Sequence, residues 1–539
     1  MNSESVRGKH TAAGRLLVAG WLAVAVWAGA SMVDAPPLVA LSAGTCAAVA
    51  ALARVRGRSA DDIVRTWWRY LAGNRPSDTV VRDFPQESGR PVGLRWNGTY
   101  VAAVVEVLSA PGRLTRLGRE SEESGYVLPL GAVAACLRRH DVTLDAIDVV
   151  VHGRRVLDAT PAGQVYAQLV GPLPAAAVRT VWIVLGFDGA ACPGAVASRG
   201  GGSDGAARTV TASARRIVRT LLDAGCPART LTAAEVEAAS LKITHGVDPV
   251  ALGQNWRFVS LPAGFNTGGS LDPRRIERAT LDRVWAHPTL ASTLTLRLRP
   301  GDSGSVQVGG LVRFTTRTPR GPAMSGIRSA GGCHRESLSA ALPRGDRGPE
   351  TSTGFRPTTA AVLDELKLPA AGCGQLIGSD TAGRAVAVRL TGHGVRSVYV
   401  AGELYLAQQI VFRAVAIGAR VLIHTDRVNA WRPLLDGAAG PDRLRMAGEF
   451  PGDREFDTVV YDGVHPSTVP PHVSAIHVHS HPDRLPQERP TITVLQPGAA
   501  GDRVILTAGG QQTTLTLVTI AAETTHIGRP RTVEAVPRR

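Results

Sequence analysis

Two uncharged runs open the chain. Leu16 to Val33 holds no charged residue, Asp34-Ala35-Pro36-Pro37 interrupts, and Leu38 to Ala53 is again uncharged. Each run is near the roughly 17–25 residues that cross a hydrocarbon core as a helix, the second drawing on Ala35 to Pro37 for its length. Proline cannot continue the first helix, and its fixed φ suits the start of the second. The pattern predicts a two-helix transmembrane hairpin over residues 1–58. Arg7, Lys9 and Arg15 precede it, and Arg54, Arg56, Arg58, Arg65 and Arg69 follow it. Positive residues stay on the cytoplasmic side. The expectation is therefore an inner-membrane protein with two spans, with both termini and the main body in the cytoplasm. A secretory signal peptide would carry a single short apolar core and a cleavage site. Helices buried in a globular core would show a polar stripe.

Residues 59–91 read as a juxtamembrane helix and linker. Over Asp61 to Leu71, Ile63, Trp67 and Tyr70 fall on one face, which suits either a membrane interface or a neighbouring subunit. From Val92 strand and helix patterns alternate. Tyr100 to Val107, Leu144 to Val151 and Arg179 to Phe187 read as strands. Val127 to His140, Gln164 to Val170 and Asp204 to Ala224 read as helices, the last ended by Gly225 and Pro227. Thr232 with Glu235 three residues on is a capping box. Pro273 to Trp285 reads as a helix N-capped by Asp272. Ser292 to Arg299 and Val306 to Thr316 read as a hairpin.

From Arg317 to Thr358 periodicity gives way to Gly, Pro, Ser, Thr and Arg, the composition of a linker. Beyond it, strands are predicted at Ala385 to Leu390, Ser397 to Ala401, Arg420 to His424, Asp457 to Tyr461 and Ser474 to Val478. Thr491 to Val494, Arg503 to Leu506 and Thr513 to Thr519 follow, with a helix at Glu403 to Ile417. The organisation predicted is a first α/β domain at 92–316, a flexible linker or insertion at 317–372, a second α/β region at 373–525 and a loose tail at 526–539. The fold class is a mixed-sheet α/β body behind a transmembrane hairpin.

Composition changes this picture little. The formal charge is +15, which invites an anionic partner. Yet only Lys9, Lys242 and Lys367 are lysines, and the arginines are scattered rather than striped. Anionic lipid beside Arg54 to Arg69 fits this better than nucleic acid. The cysteines, Cys46, Cys136, Cys192, Cys226, Cys333 and Cys373, include no CxxC pair, so neither a zinc site nor a disulfide framework is indicated.

Three stretches could carry chemistry. Gly200-Gly201-Gly202-Ser203-Asp204-Gly205 satisfies GxGxxG before a helix, but no strand directly precedes it, and a helix-entry loop accounts for it equally. Val398-Tyr399-Val400-Ala401-Gly402 before a helix imitates a P-loop, with Asp462 at a Walker B position. The loop is short, lacks Gly-Lys-Ser/Thr, and places Glu403 where phosphate would lie. Asp462→Ala and Glu403→Ala are therefore expected to leave function intact provided the protein folds and assembles, and Leu406 is expected to be buried. His477, His479 and His481 alternate and would share one strand face. Three imidazoles can hold Zn²⁺, with Asp483 or Asp462 beside them, although a solvent-facing strand end explains the spacing as well.

Several blocks resemble the EccE family of type VII (ESX) secretion systems. Val92-Gly93-Leu94-Arg95-Trp96-Asn97-Gly98 resembles that family's Gly-x-Arg-Trp opening. Gly171-Pro172-Leu173-Pro174-Ala175-Ala176-Ala177, Arg179-Thr180-Val181-Trp182, and Arg199-Gly200-Gly201-Gly202 with Gly205 and Arg208 are similar to its next blocks. Cys373-Gly374-Gln375-Leu376-Ile377-Gly378 and Tyr405-Leu406-Ala407-Gln408-Gln409 are similar to its longer members. The likeness covers about residues 1–316 and 373–435 and is weak elsewhere. It implies a non-enzymatic subunit assembling with EccB, EccC and EccD in an inner-membrane complex, with no catalytic residue, cofactor or metal ligand to carry over. A membrane-tethered nucleotide- or sugar-nucleotide-binding enzyme is the rival that an α/β body also allows. A nucleic-acid binder would rest on charge alone.

Overall fold

The computed structural model describes residues 19–33, 35–52, 54–55, 58–59, 66–68, 70–71, 80–86, 89–157, 159–253, 255–345, 354–448, 456–482 and 489–529. The chain forms two compact units, Met1–Pro76 with Gly331–Cys333, and Ser77–Ala330 with His334–Arg539.

In the first unit, residues 19–32 and Pro37–Leu52 are helical. The two helices approach closely at Gly44, where a Cβ would lie 2.9 Å from the Ala23 carbonyl oxygen. Trp21, Trp27, Met32, Leu38 and Leu41 are exposed. The second helix has 16 residues, about 24 Å at 1.5 Å per residue, against a hydrocarbon core of roughly 30 Å. Among the described residues no helix is long and apolar enough to cross a membrane. This overturns the transmembrane hairpin expected over 1–58. It equally overturns the two-span, inner-membrane placement with both termini and the body in the cytoplasm. The physical reason for the second helix is that Ala35 and Pro36, needed to bring its short run to spanning length, do not join it, and the helix starts only at Pro37. Residues 1–18 and Asp34 lie outside the described residues, as do 61–65 of the helix expected at 61–71. Within that stretch, 66–68 and 70–71 are helical, with Trp67 and Trp68 exposed.

The second unit is mixed α/β and holds two 12-stranded sheets. Strands β1 (Val80–Phe84), β2 (Val92–Asn97) and β3 (Tyr100–Val107) form an antiparallel meander. The hairpin of β4 (Leu114–Leu117) and β5 (Glu122–Ser124) leaves this meander. The chain continues as β6 (Ala146–Arg154), α1 (Pro161–Val170), β7 (Val178–Asp188), α2 (Gly202–Asp223) and α3 (Ala233–Ile243). It then runs through β8 (Gly264–Leu271), α4 (Arg278–Ala286), β9 (Ala291–Pro300) and β10 (Val306–Thr316). The first sheet is antiparallel in the order β8-β10-β9-β6-β7-β3-β2-β1, with short strands added at its edges. Its central strands are β-branched and buried on both faces, as a sheet covered on two sides requires. Val105, Val149, Ile183 and Leu296 face an apolar core with Ile217 of α2 and Val284 of α4. The other face is partly polar. Asp148 and Arg297 pair at 2.5 Å, and Arg313 Nε donates to Asn266 Oδ1 at 2.5 Å. The Thr232–Glu235 capping box is present at the start of α3.

The second sheet is built from β11 (Gln375–Ser379), β12 (Ala385–Val388), β13 (Ser397–Ala401), β14 (Val421–Thr425), β15 (Leu444–Met446) and β16 (Thr458–Asp462). Strands β17 (Ser474–His479), β18 (Ile492–Leu495), β19 (Arg503–Ala508) and β20 (Gln511–Leu517) complete it. Helix α5 (Leu404–Ile417) follows β13, α6 (Val428–Ala438) follows β14, and α7 (Ala521–Ile527) closes the chain. The order β15-β14-β16-β17-β13-β18 is parallel, and β19, β20, β11, β12, β4 and β5 extend it antiparallel. Residues Tyr405 to Ile417 of α5 are all buried. Within that core Arg413 Nε donates to Glu523 Oε1 of α7 at 2.8 Å. The tail expected to be loose from 526 is thus helical to Ile527, and 530–539 lie outside the described residues.

The β4–β5 hairpin binds the two sheets together. It sits in the second sheet through β4–β12 pairing, although it precedes β6 of the first. Arg179 of β7 donates from Nη1 and Nη2 to Glu122 of β5 at 2.9 and 2.7 Å, with both side chains fully buried. The same guanidinium donates to Ala371 O at 3.0 Å and lies 4.7 Å from the Trp285 ring centroid. The stretch expected as linker also carries structure. Ile327–Ser329 pairs with β8 and Arg356–Thr358 with β10, and His334–Ser339 and Ala360–Asp364 are helical.

Glu122→Ala would leave Arg179 charged, buried and unpaired, and is expected to cost about 3–5 kcal/mol in urea unfolding of the body. An unchanged midpoint would show that the pair holds nothing. Residues 77–345 and 354–539 produced as two chains are expected to associate and unfold in one transition. Two separate, individually stable fragments would contradict the shared hairpin.

Candidate functional site at the strand ends of the second sheet

The parallel strands bring together most of what the sequence singled out. Gly402 and Glu403 join the end of β13 to α5. A nucleotide-binding sheet would place phosphate here, on backbone N–H groups at the helix start. In this chain Gln496, fully buried after β18, occupies that space. Its Oε1 accepts from Glu403 N at 2.8 Å, and its Nε2 donates to Gly501 O at 2.7 Å. Gly402 has φ +155°, and a Cβ there would lie 2.5 Å from Gln496 Oε1, so only glycine lets the amide in.

Asp462, at the end of β16, is fully buried. Its Oδ2 accepts from Thr425 Oγ1 at 2.9 Å, Arg427 Nε at 3.1 Å and Trp431 Nε1 at 2.8 Å, while Oδ1 accepts from Arg427 Nη2. These donors match the roughly four lone-pair sites of a carboxylate. The aspartate clamps β16 to the end of β14 and the first turn of α6. This burial bears on folding, the condition attached to the expectation that secretion survives Asp462→Ala. Leu406 is fully buried, as its place on α5 implied.

The histidines fall on the sheet face away from α5. His424, Tyr461, His477 and Tyr399 stand opposite one another in register across β14, β16, β17 and β13. His424 stacks on Tyr461 with centroids 5.2 Å apart, and Tyr461 on His477 at 5.6 Å. Tyr399 meets His477 and His479 edge-on at 5.1 and 5.5 Å. Tyr461 reaches Ser467 Oγ at 2.8 Å, which ties the 463–473 connection to the row. A cavity of about 510 Å³ opens beside it, with exposed Arg489 at its edge. Burial pulls the His479 imidazole below its ordinary pKa, favouring the neutral ring. The strand ends at His479, so His481 lies beyond it, and Asp483 lies outside the described residues. Among the described residues, no group of three or more His, Cys, Asp and Glu could hold a metal ion. Tyr399 and Tyr461 are buried and His424 and His477 half-buried, so the rings of the row pack mainly on one another.

The Gly200–Gly205 loop lies elsewhere, in the first sheet's half. It joins the short helix Pro193–Ala197 to α2, and Gly200, Gly201 and Gly202 all have positive φ, at 103°, 70° and 55°. A sharp helix-to-helix corner therefore accounts for the glycines. Arg208 Nη1 donates to Arg199 O at 3.0 Å across it. Gln496, Arg427 and Trp431 were not legible as partners, because each acts on a residue 31 to 93 positions away.

Comparison with known proteins places the chain among secretion components. Residues 175–268 match the family described as "Putative type VII ESX secretion system translocon, EccE". The chain is 30% identical over 291 residues to the ESX-5 secretion system protein EccE5 of Mycobacterium tuberculosis, covering 50% of this chain and 69% of that protein. It is 28% identical over 313 residues to the EccE5 protein of Mycobacterium marinum, covering 55% and 74%. With the ESX-1 secretion system protein EccE1 of Mycolicibacterium smegmatis it shares 26% over 394 residues, covering 71% and 76%.

Removing the clamp should unfold the protein before it affects any chemistry. Asp462→Ala leaves the buried Trp431 N–H without its acceptor while half-exposed Arg427 turns to solvent, and is expected to cost about 1–3 kcal/mol in thermal or urea unfolding. A variant as stable as the parent would show that the carboxylate has no structural role.

Proposed function

The chain belongs to the EccE family of type VII (ESX) secretion system components, and on that premise we propose that its contribution is structural, made by binding surfaces and not by bond chemistry. The observation supporting this is the closure of the strand ends. Gln496 fills the phosphate position before α5, and the carboxylate of Asp462 is saturated by Thr425, Arg427 and Trp431. Phosphoryl transfer needs a free carboxylate for Mg²⁺ and a basic side chain on the phosphates, and here Asp462 and Arg427 are engaged with each other. A nucleotide- or sugar-nucleotide-binding enzyme is correspondingly disfavoured.

As a component of an ESX complex, the protein has partners within that complex. In this reading they are EccB-, EccC- and EccD-like subunits. The halves built on the first and the second sheet, tied together by the β4–β5 hairpin, present separate faces to them. Tyr399 and Tyr461 are buried within the ring row, so contact on this half would fall on half-buried His477 and His479 and on exposed Arg489 around the cavity.

The test is secretion measured together with recovery of the complex by affinity capture of the tagged chain. Glu403→Ala is expected to leave both unchanged. Leu406→Asp places a charge in the core beneath α5, and should lower both in parallel. Loss of secretion by Glu403→Ala in a fully assembled complex would reject the structural reading.

A further inference from the structure

The joint between the two sheets holds two buried carboxylates and one fully buried guanidinium. Besides Glu122, the second acid is Asp282, from the middle of α4, whose charge is felt by both members of the Glu122–Arg179 pair. Asp282 Oδ2 is buried and accepts no hydrogen bond. Arg278, one turn back on the same helix, stands with Nε 3.7 Å from that oxygen, beyond hydrogen-bonding reach, and its side chain is 37% exposed. Its Nη2 donates instead to the Glu122 carbonyl oxygen at 3.0 Å. Both Nη atoms of Arg179 are spent on Glu122 and Ala371 O, and its Nε has no partner.

The other charged groups around α4 are engaged elsewhere. Thr280 Oγ1 donates to Glu277 at 3.3 Å and accepts from Arg283 Nη2 at 2.9 Å. Arg155 donates to Ala286 O at 3.1 Å, at the far end of the helix. Glu123 of β5 pairs with Arg384 at 3.0 Å. Strand β9, against which α4 packs, sends Leu294, Leu296 and Leu298 into the same core, and its Arg297 pairs with Asp148 on the other face. Burial, with Glu122 adding to it, pushes the Cys373 thiol up to about 12, so it stays neutral.

A carboxylate carries its charge in a core only where donors surround it. Glu122 holds the bidentate partner, while Asp282 has a bare oxygen and a like charge beside it. Of two acids in such a site, the less well served keeps its proton to higher pH. Burial, with Glu122 adding to it, accordingly pushes Asp282 up to about 6, against the smaller pull of Arg278, the Glu122 backbone and Arg179.

We propose that Asp282 is a proton-operated catch on the β4–β5 hairpin. Protonated, it leaves Arg179 to Glu122, and the joint between the sheets is closed. Ionised, it sets a second negative charge against Glu122 and competes for the same guanidinium, so the hairpin is held less firmly. A carboxyl whose pKa is raised by folding stabilises the fold fully below its ordinary value of 3.8, and that contribution is lost as pH rises through about 6. The joint is thus tightest in acid solution and eased near neutrality. The catch acts on stability and is independent of the structural role argued above, so either can fail alone.

Urea unfolding of the full chain between pH 5 and pH 7, parent against Asp282→Asn, tests it. Asparagine keeps the shape and cannot ionise, and the other titrating groups cancel in the difference. Across this range the unfolding constant of the parent is expected to rise about tenfold relative to that of the variant. At pH 7, backbone amides of residues 114–124 should exchange more slowly in Asp282→Asn than in the parent, with little difference at pH 5. Arg278→Gln removes a half-exposed counter-charge and should move the parent's loss of stability to higher pH. It decides the matter if Asp282→Asn does not fold. Parallel pH profiles, an Asp282→Asn variant less stable than the parent at pH 7, an unmoved profile in Arg278→Gln, or exchange altered only outside the joint would each overturn the proposal.

Discussion

The fold depends on one buried ion pair. Arg179 extends from the middle of the first sheet to Glu122, on a hairpin that belongs to the second, and both side chains are removed from water. Burying two charges costs several kcal/mol per ion, and the cost is recovered only when geometry and hydrogen bonding are complete. Here the fork is bidentate, Ala371 O accepts a further hydrogen bond from Nη1, and the Trp285 ring lies beside the guanidinium, with Nε alone left without a partner. Completing that geometry requires β7, β5, α4 and the segment around 371 to be in place together. The pair thus acts as a registration device, setting the two sheets against each other in one arrangement.

The same logic recurs at the strand ends of the second sheet. Asp462 with Arg427, and Arg413 with Glu523, are carboxylate–guanidinium pairs at the margins of an otherwise apolar core. In open α/β sheets such positions commonly face a ligand. Here the polar groups face one another, which turns a position suited to chemistry into one that fixes helices α5, α6 and α7. The first sheet does the reverse. Its polar face gathers Arg154, Lys242, His245 and Arg317 around an open cavity.

The sequence carried the regular elements well where side chains announce them. Ser397–Ala401 and Val306–Thr316 have the bounds that alternation and β-branching implied, and Thr232 with Glu235 caps α3 as their spacing requires. It failed where an element is short or charged. Leu114–Leu117 and Glu122–Ser124 carry too few apolar residues to read as strands, yet they connect the sheets. Helix Val428–Ala438 contains Pro433, which argues against a helix locally and is tolerated in the tertiary setting. The helix expected over Val127 to His140 shrinks to Leu130–Ala135, because Arg138–Arg139 and Val142–Thr143 form a ribbon turning at His140 with φ +50°. At the N-terminus, Ala35 and Pro36 are uncharged but stay outside the helix Pro37–Leu52 that a spanning length would need them to join. At the candidate site, the residue types were visible but their partners were not. Register alone sets Tyr399 beside His477, and only the folded sheet brings Gln496 to Gly402.

The placement of β4–β5 also has a consequence for synthesis. Arg384 beside β12 meets Glu123 of β5 across 261 residues of sequence. At ~5–20 residues per second, the ribosome needs roughly 13–50 s to supply that partner. For that interval the emerging hairpin has a finished turn and an open edge, the condition in which strands pair with the wrong chain. Its own residues lower that risk. Arg116, Glu122 and Glu123 place charge along a two-stranded ribbon of only four and three residues. The poverty in apolar side chains that hides this hairpin from a sequence reading is thus what lets it wait, unpaired, for the second half of the chain.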